Sequence, residues 1–130
     1  MRFSRRLCAF AAWALLSAPL LAGPLDGIWL AKYQDRQGRS RQIWFQFATV
    51  KDKLTGKVRI GPAADLYIQK GKVDGNRVSF EVEFQYDEGY RPDTMVFTGK
   101  LEGDTLRLTR TTKGKEGAQN LVAQRTAEKL

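Results

Sequence analysis

From Ile28 onward apolar residues recur at every second position, and that period limits what the chain can become. The clearest run is Val78, Phe80, Val82, Phe84 and Tyr86, alternating with Ser79, Glu81, Glu83 and Gln85. Successive side chains of an extended strand point to opposite faces, so this run reads as a half-buried antiparallel strand. The pattern returns in Ile43, Phe45 and Phe47, in Leu54, Gly56, Val58 and Ile60, and in Met95, Phe97, Gly99 and Leu101. Leu106 and Leu108 continue it, as do Leu121 and Ala123, and nothing after residue 22 sustains a helical stripe. Segments near residues 28–33, 42–50, 54–60, 66–73, 77–86, 94–102, 105–112 and 119–126 give eight strands. Their links are short and turn-rich, among them Gln37-Gly38, Gly61-Pro62, Gly75-Asn76 and Gly103-Asp104.

An internal repeat fixes the phase of these strands. Gly71-Lys72-Val73-Asp74-Gly75-Asn76-Arg77-Val78 matches Gly99-Lys100-Leu101-Glu102-Gly103-Asp104-Thr105-Leu106, and Gly56-Lys57-Val58 echoes its start. Each full copy is a strand end, a turn and a strand start. The second glycine supplies the positive backbone angle of a two-residue hairpin turn, while the first, inside a strand, suits a bend where a sheet curls. Regular hairpin links describe an up-and-down meander. Eight strands is also the number that closes into a barrel whose interior is just filled or holds one small ligand. The expected fold class is therefore all-β, an eight-stranded antiparallel up-and-down β-barrel.

The first 22 residues read as a secretory signal peptide rather than as part of that fold. Arg2, Arg5 and Arg6 precede the apolar run Leu7 to Leu16, and Ser17 to Ala22 offers small residues for cleavage. Counted from Leu7 to Ala22 the apolar stretch is 16 residues with Pro19 inside, short of the roughly 18–20 that span a bilayer. No stable membrane anchor is expected, and no cysteine at the junction suggests a lipid anchor. The expected organisation is a signal peptide at 1–22 and a single domain at 23–130, secreted or periplasmic. The formal charge of the whole chain is +8. Without the leader, 19 basic side chains face 14 acidic ones, a charge of +5. Cys8 leaves as well. With no histidine anywhere and no thiol after the leader, Ser-His and Cys-His nucleophiles, histidine-ligated metals and a CxxC redox pair are excluded. A domain of 108 residues buries roughly 65% of its unfolded surface, enough to fold without disulfides.

Gly27-Ile28-Trp29 on the first strand and Arg125 on the last carry a resemblance. A Gly-x-Trp covered by a cation from the final strand resembles the shared mark of lipocalins and other calycins. The resemblance implies that Trp29 plugs one end of the barrel and that Arg125 seals it through a cation–π contact, worth about 0.5–2 kcal/mol. The departures are specific. Tyr33 to Gln42 has room for a loop, not for the lid helices of fatty-acid-binding relatives. Lipocalins carry a helix after the last strand, where this sequence has five residues after Arg125. Avidins use several late tryptophans, whereas Trp29 and Trp44 both lie early, so biotin binding is not carried over. Closer is the likeness to small secreted bacterial domains with a Gly-x-Trp start, a Leu-Thr-Gly strand (Leu54-Thr55-Gly56) and a terminal Ala-x-Arg (Ala123, Arg125). That likeness supplies a fold and no activity.

The candidate site residues fall into three groups. Phe45, Phe47, Phe80, Phe84, Tyr86 and Phe97 face inward by alternation, either as plain core or as the lining of a small apolar cavity. Trp44 is out of phase with them and faces outward, as a stacking platform for a sugar, a partner contact, or a side chain covered by a loop. Arg36, Arg39 and Arg41 surround Gly38 just after Lys32, either as a solvated loop or as a contact for an anionic envelope component such as lipid or lipopolysaccharide. Nucleic acid is not expected as a partner for an exported chain. Glu81 with Glu83, and Asp87 with Glu88, are adjacent carboxylates. A glycosidase needs two carboxyls roughly 5–10 Å apart across a cleft, whereas Glu81 and Glu83 point out from one strand face. Asp74, Asn76 and Asp104 lie in tight turns without calcium-loop spacing, so no metal and no cofactor is expected. The expectation is a non-catalytic binding protein with a small apolar or amphipathic ligand in the barrel mouth, gated by the loop around Gly38. The alternative is a protein- or glycan-interaction module using Trp44 and the basic loop Arg36 to Arg41.

Overall fold

A computed structural model describes residues 23–61, 65–85, 89 and 91–127. Residues 1–22, where a signal peptide is expected, Tyr86 and the Asp87–Glu88 pair lie outside the described residues. The alternation becomes nine strand segments: β1 (Gly27–Gln34), β2 (Ser40–Val50), β3 (Lys53–Ile60), β4 (Leu66–Tyr67), β5 (Gln69–Asp74), β6 (Arg77–Phe84), β7 (Asp93–Glu102), β8 (Thr105–Thr112) and β9 (Ala118–Thr126). All pairings are antiparallel. β1 pairs with β2 on one side and with β9 on the other, and β2 pairs in turn with β3, so the sheet closes on itself. β4 and β5 are one interrupted stave, which makes this a closed eight-stranded antiparallel barrel.

The interruption departs from the continuous strand expected over 66–73. The Ile68 amide donates to the Gly56 carbonyl at 3.0 Å, the ladder slips between Gln69 and Lys72, and Lys70 has a φ of 53°. This is a β-bulge, the device that lets a strand bend around a small barrel. The glycines of the repeat explain the neighbouring curvature. A Cβ at Gly71 would sit 1.9 Å from the Leu54 carbonyl oxygen, and one at Gly99 would sit 2.2 Å from that of Arg107. Only a residue without a side chain allows the adjoining strand to approach so closely.

Inward residues fill the barrel. Phe45, Phe80 and Phe97 are buried, with Phe47 nearly so. Phe80 stacks on Phe97 at 4.9 Å between centroids, and Phe45 meets both edge-on at 6.1 and 5.7 Å. Phe47 packs on Phe45 at 5.6 Å and on Phe80 at 5.5 Å. Such pairs contribute about 0.5–1.5 kcal/mol each beyond area burial.

One end of the barrel is closed by side chains. Trp29 is fully buried, and its indole N–H donates to the Leu25 carbonyl at 2.9 Å. The Arg125 guanidinium lies 4.5 Å from the Trp29 ring, directly across the β1–β9 ladder. The same guanidinium donates to the carbonyls of Asp26, at 2.7 Å, and of Pro24. Asp26 in turn accepts from the Thr49 amide at 2.8 Å and the Gly23 amide at 3.1 Å. Residues 23–26 are thus tied to β2 and β9 at this end, with Leu25 buried among the core side chains.

Three two-residue turns also lie at the closed end: Lys51-Asp52, Gly75-Asn76 and Gly103-Asp104. All have a positive φ at their first position, 58°, 61° and 63°. Lys51 therefore stands in a conformation that its two counterparts reserve for glycine. Replacing it, Lys51→Gly, is expected to raise stability by about 0.5–1 kcal/mol in urea unfolding, the relieved strain outweighing the added chain entropy. Trp29→Ala is expected to cost about 3–5 kcal/mol. A cost below about 1 kcal/mol, the range of surface sites, would show that the indole does not hold the closed end.

Candidate functional site

The opposite end of the barrel is built differently. There the strands are joined by residues 35–39, 61–65, 85–92 and 113–117 instead of by tight turns. Long loops are tolerated where the strand ends do not have to meet, and such loops carry recognition in many barrels. A cavity of about 440 Å³ opens at this end, bordered by residues of the 35–39 segment and by strand ends. Its apolar part comes from Ile60, Phe84, Met95 and Tyr33, and its polar part includes Arg41 and Arg110. Each of these six occupies an inward phase of its strand, so the cavity is the top layer of the barrel interior.

Asp35 organises the rim. Its carboxylate accepts from the amides of Gln37 and Arg39, both at 2.9 Å, and from the guanidinium groups of Arg39 at 3.2 Å and Arg41 at 3.0 Å. The Gly38 amide donates to the Asp35 carbonyl at 2.9 Å, closing the turn. The Arg39 amide first, then the Arg41 guanidinium and the Gln37 amide, hold the Asp35 carboxyl below its ordinary value of 3.8, against the opposing push of desolvation. Across the mouth the Arg110 guanidinium lies 5.3 Å from the Tyr33 ring and donates to the Gln119 side chain. A second depression of about 530 Å³, lined by Arg36, Arg110 and Lys115, adjoins the first along Tyr33 and Asp35.

The sequence-derived candidates separate in space. Phe84 reaches the mouth cavity, whereas Phe45, Phe80 and Phe97 lie in the packed layers beneath, their rings turned to one another. Phe47 is buried, and it borders a shallow outer depression beside Tyr67. Tyr86 lies outside the described residues. Arg39 and Arg41 line the mouth, and Arg36 lines the adjoining depression. Trp44 is half-buried on the outer wall, opposite Leu30 on β1 and Arg59 on β3, where Arg59 is bound to Asp65 at 2.9 Å. Trp44 and the Arg39–Arg41 pair therefore occupy opposite faces of the sheet. Tyr33, Ile60, Met95 and Arg110 join the site without having stood out in the sequence. A signal was present for Arg41 and Arg110, each a cation in phase with buried neighbours, Ile43 and Leu108 respectively. Among the described residues no three carboxylates or thiols converge on a point that could hold a metal ion.

No family model, curated protein or solved structure matches this chain.

The rim has a defined response to acid. Because the folded Asp35 carboxyl titrates below its ordinary value, its contribution is fully present above about pH 4 and is lost as pH falls through the lowered folded value. The protection of the Gln37 and Arg39 amides relative to intrinsic exchange, followed by NMR between pH 6 and pH 2.5, is expected to fall only in the acid limb. In Asp35→Asn those amides should be weakly protected at every pH. Equal protection across the range in the native protein would contradict the role given to Asp35.

Proposed function

We propose that this protein is an exported, calycin-like binding protein without catalytic activity, which holds a small amphipathic ligand at the open mouth of its barrel. The supporting observation is the mixed lining of the mouth, in which the apolar side chains of Ile60, Phe84 and Met95 share one cavity with the cations Arg41 and Arg110. An alkyl or aryl tail enters the apolar floor, and a carboxylate, sulfonate or phosphate head meets the two guanidinium groups. A volume near 440 Å³ falls in the range of small-ligand sites. The phenylalanine layers below leave the ligand to lie at the mouth instead of deep in the barrel. The loop around Gly38, pinned through Asp35, borders the entrance and sets how far it opens.

The reading is tested with an anionic amphipathic dye, anilinonaphthalene sulfonate, displaced by dodecanoate or by dodecanol. Arg110→Gln should weaken dodecanoate by about tenfold, the worth of one charge-assisted hydrogen bond, and leave dodecanol within about twofold. Phe84→Asp should abolish capture of both. Binding unchanged in both variants, or no saturable binding in the native protein, would refute the proposal.

A further inference from the structure

The outer wall carries a second feature, remote from the mouth. On the strand pairs near the closed end, Arg77 of β6 stands directly opposite Lys100 of β7, which stands directly opposite Arg107 of β8. Lys72 of β5 pairs with Ser79, the next outward position along β6. These four cations line one groove of about 560 Å³, together with the hydroxyl residues Thr98 and Thr109. The single carboxylate in the lining is Asp74, which stands opposite Arg77 on the β5–β6 ladder and heads the same row. Arg107 is bound at 2.8 Å to Glu102, which lies outside that lining. Among the described residues no carboxylate lies within ion-pair distance of Lys72, Arg77 or Lys100.

Like charges directly opposite on neighbouring strands destabilise a sheet. Three cations in succession, with neighbouring strands roughly 4.8 Å apart, outnumber the one carboxylate that ends their row, and Lys100 has a cation on both sides. Elsewhere on the barrel the cations meet acids: Arg39 and Arg41 meet Asp35, Lys57 and Arg59 meet Asp65, and Lys113 meets Glu81. The lining also supplies the donors that an oxyanion takes: guanidinium forks can donate two parallel bonds to one anion, and the threonine hydroxyls add further donors.

The geometry points to a phosphate-binding groove formed by Lys72, Arg77, Lys100 and Arg107. Its ligand is a phosphate group of high charge density, free or carried by a lipid head. Binding removes the repulsion between the strands, so the occupied protein is more stable than the empty one.

Thermal unfolding of the full folded domain in inorganic pyrophosphate, against sodium chloride of matched ionic strength, tests this directly. The native protein should show a saturable rise in Tm with pyrophosphate and none with chloride. Arg77→Gln with Lys100→Gln should unfold no earlier than the native protein in chloride, because repulsion has been removed, and should bind pyrophosphate at least tenfold more weakly. Lys57→Gln, on the outer wall and outside the groove lining, should keep the whole response. Sedimentation with vesicles of phosphatidylglycerol in phosphatidylcholine separates the two sources. A pyrophosphate response without vesicle binding assigns a free anion, while both together, lost in the double variant, assign a lipid head group. Vesicle binding without a pyrophosphate response would be diffuse attraction, and that result, like indifference to both, overturns the groove. A full response in the double variant overturns it equally.

Discussion

The contact between Arg125 and Trp29 closes this barrel. It joins the last strand to the first, at the seam where a meander of eight staves must meet its own beginning. A guanidinium over an indole contributes about 0.5–2 kcal/mol, but here the same group also binds two backbone carbonyls of the segment that precedes β1. That segment is held in turn by Asp26 on the end of β2. One side chain therefore couples β9, β1, β2 and the residues leading into them. Its cost is low because Arg125 keeps part of its surface in solvent, with 38% of the side chain exposed, while the indole beneath is fully buried.

Sealing one end assigns different work to the other. The closed end uses two-residue turns and a buried tryptophan, and the phenylalanine layers above it fill the middle of the barrel. At the far end the loops are long, and the inward positions change from phenyl rings to a mixture of apolar and cationic groups. The barrel interior thus runs from a buried indole at Trp29 to a mixed apolar and cationic lining at the mouth. Stability resides at its apolar end. Recognition, on the reading proposed above, resides at its polar end, where solvation of the arginine heads limits the cost of leaving the site empty.

Much of this architecture could be read from the chain. Period-two alternation placed Ile43, Phe45, Phe80 and Phe97 inside, because burial on one sheet face is a local property of every second residue. The repeated units starting at Gly71 and Gly99 marked both the close strand approaches, which leave no room for a Cβ, and the turns, whose positive φ favours glycine. The break at Ile68 was not legible. It arises from a hydrogen bond to Gly56, twelve residues away, and no local pattern encodes that. The mouth was legible only in part. Arg39 and Arg41 stood out as charges in a loop, but Tyr33, Ile60, Met95 and Arg110 come from four different strands and meet only when the sheet closes. Arg77, Lys100 and Arg107 likewise become neighbours through strand register, which a single sequence does not state. What the sequence does offer is a cation in phase with buried residues, as at Arg41, Arg110 and Arg125, and all three lie at the ends of the barrel.

Amide hydrogen exchange on Arg125→Met tests the seam most directly. Methionine preserves a flexible apolar side chain over Trp29 and removes the charge and both hydrogen bonds. Protection should fall in residues 28–31 and 123–126, which form the β1–β9 ladder, and persist in β6, β7 and β8. Native protection across the ladder would show that Arg125 does not hold the barrel shut. Equal loss in every strand would show that the seam has no stability of its own, and either result would contradict the account.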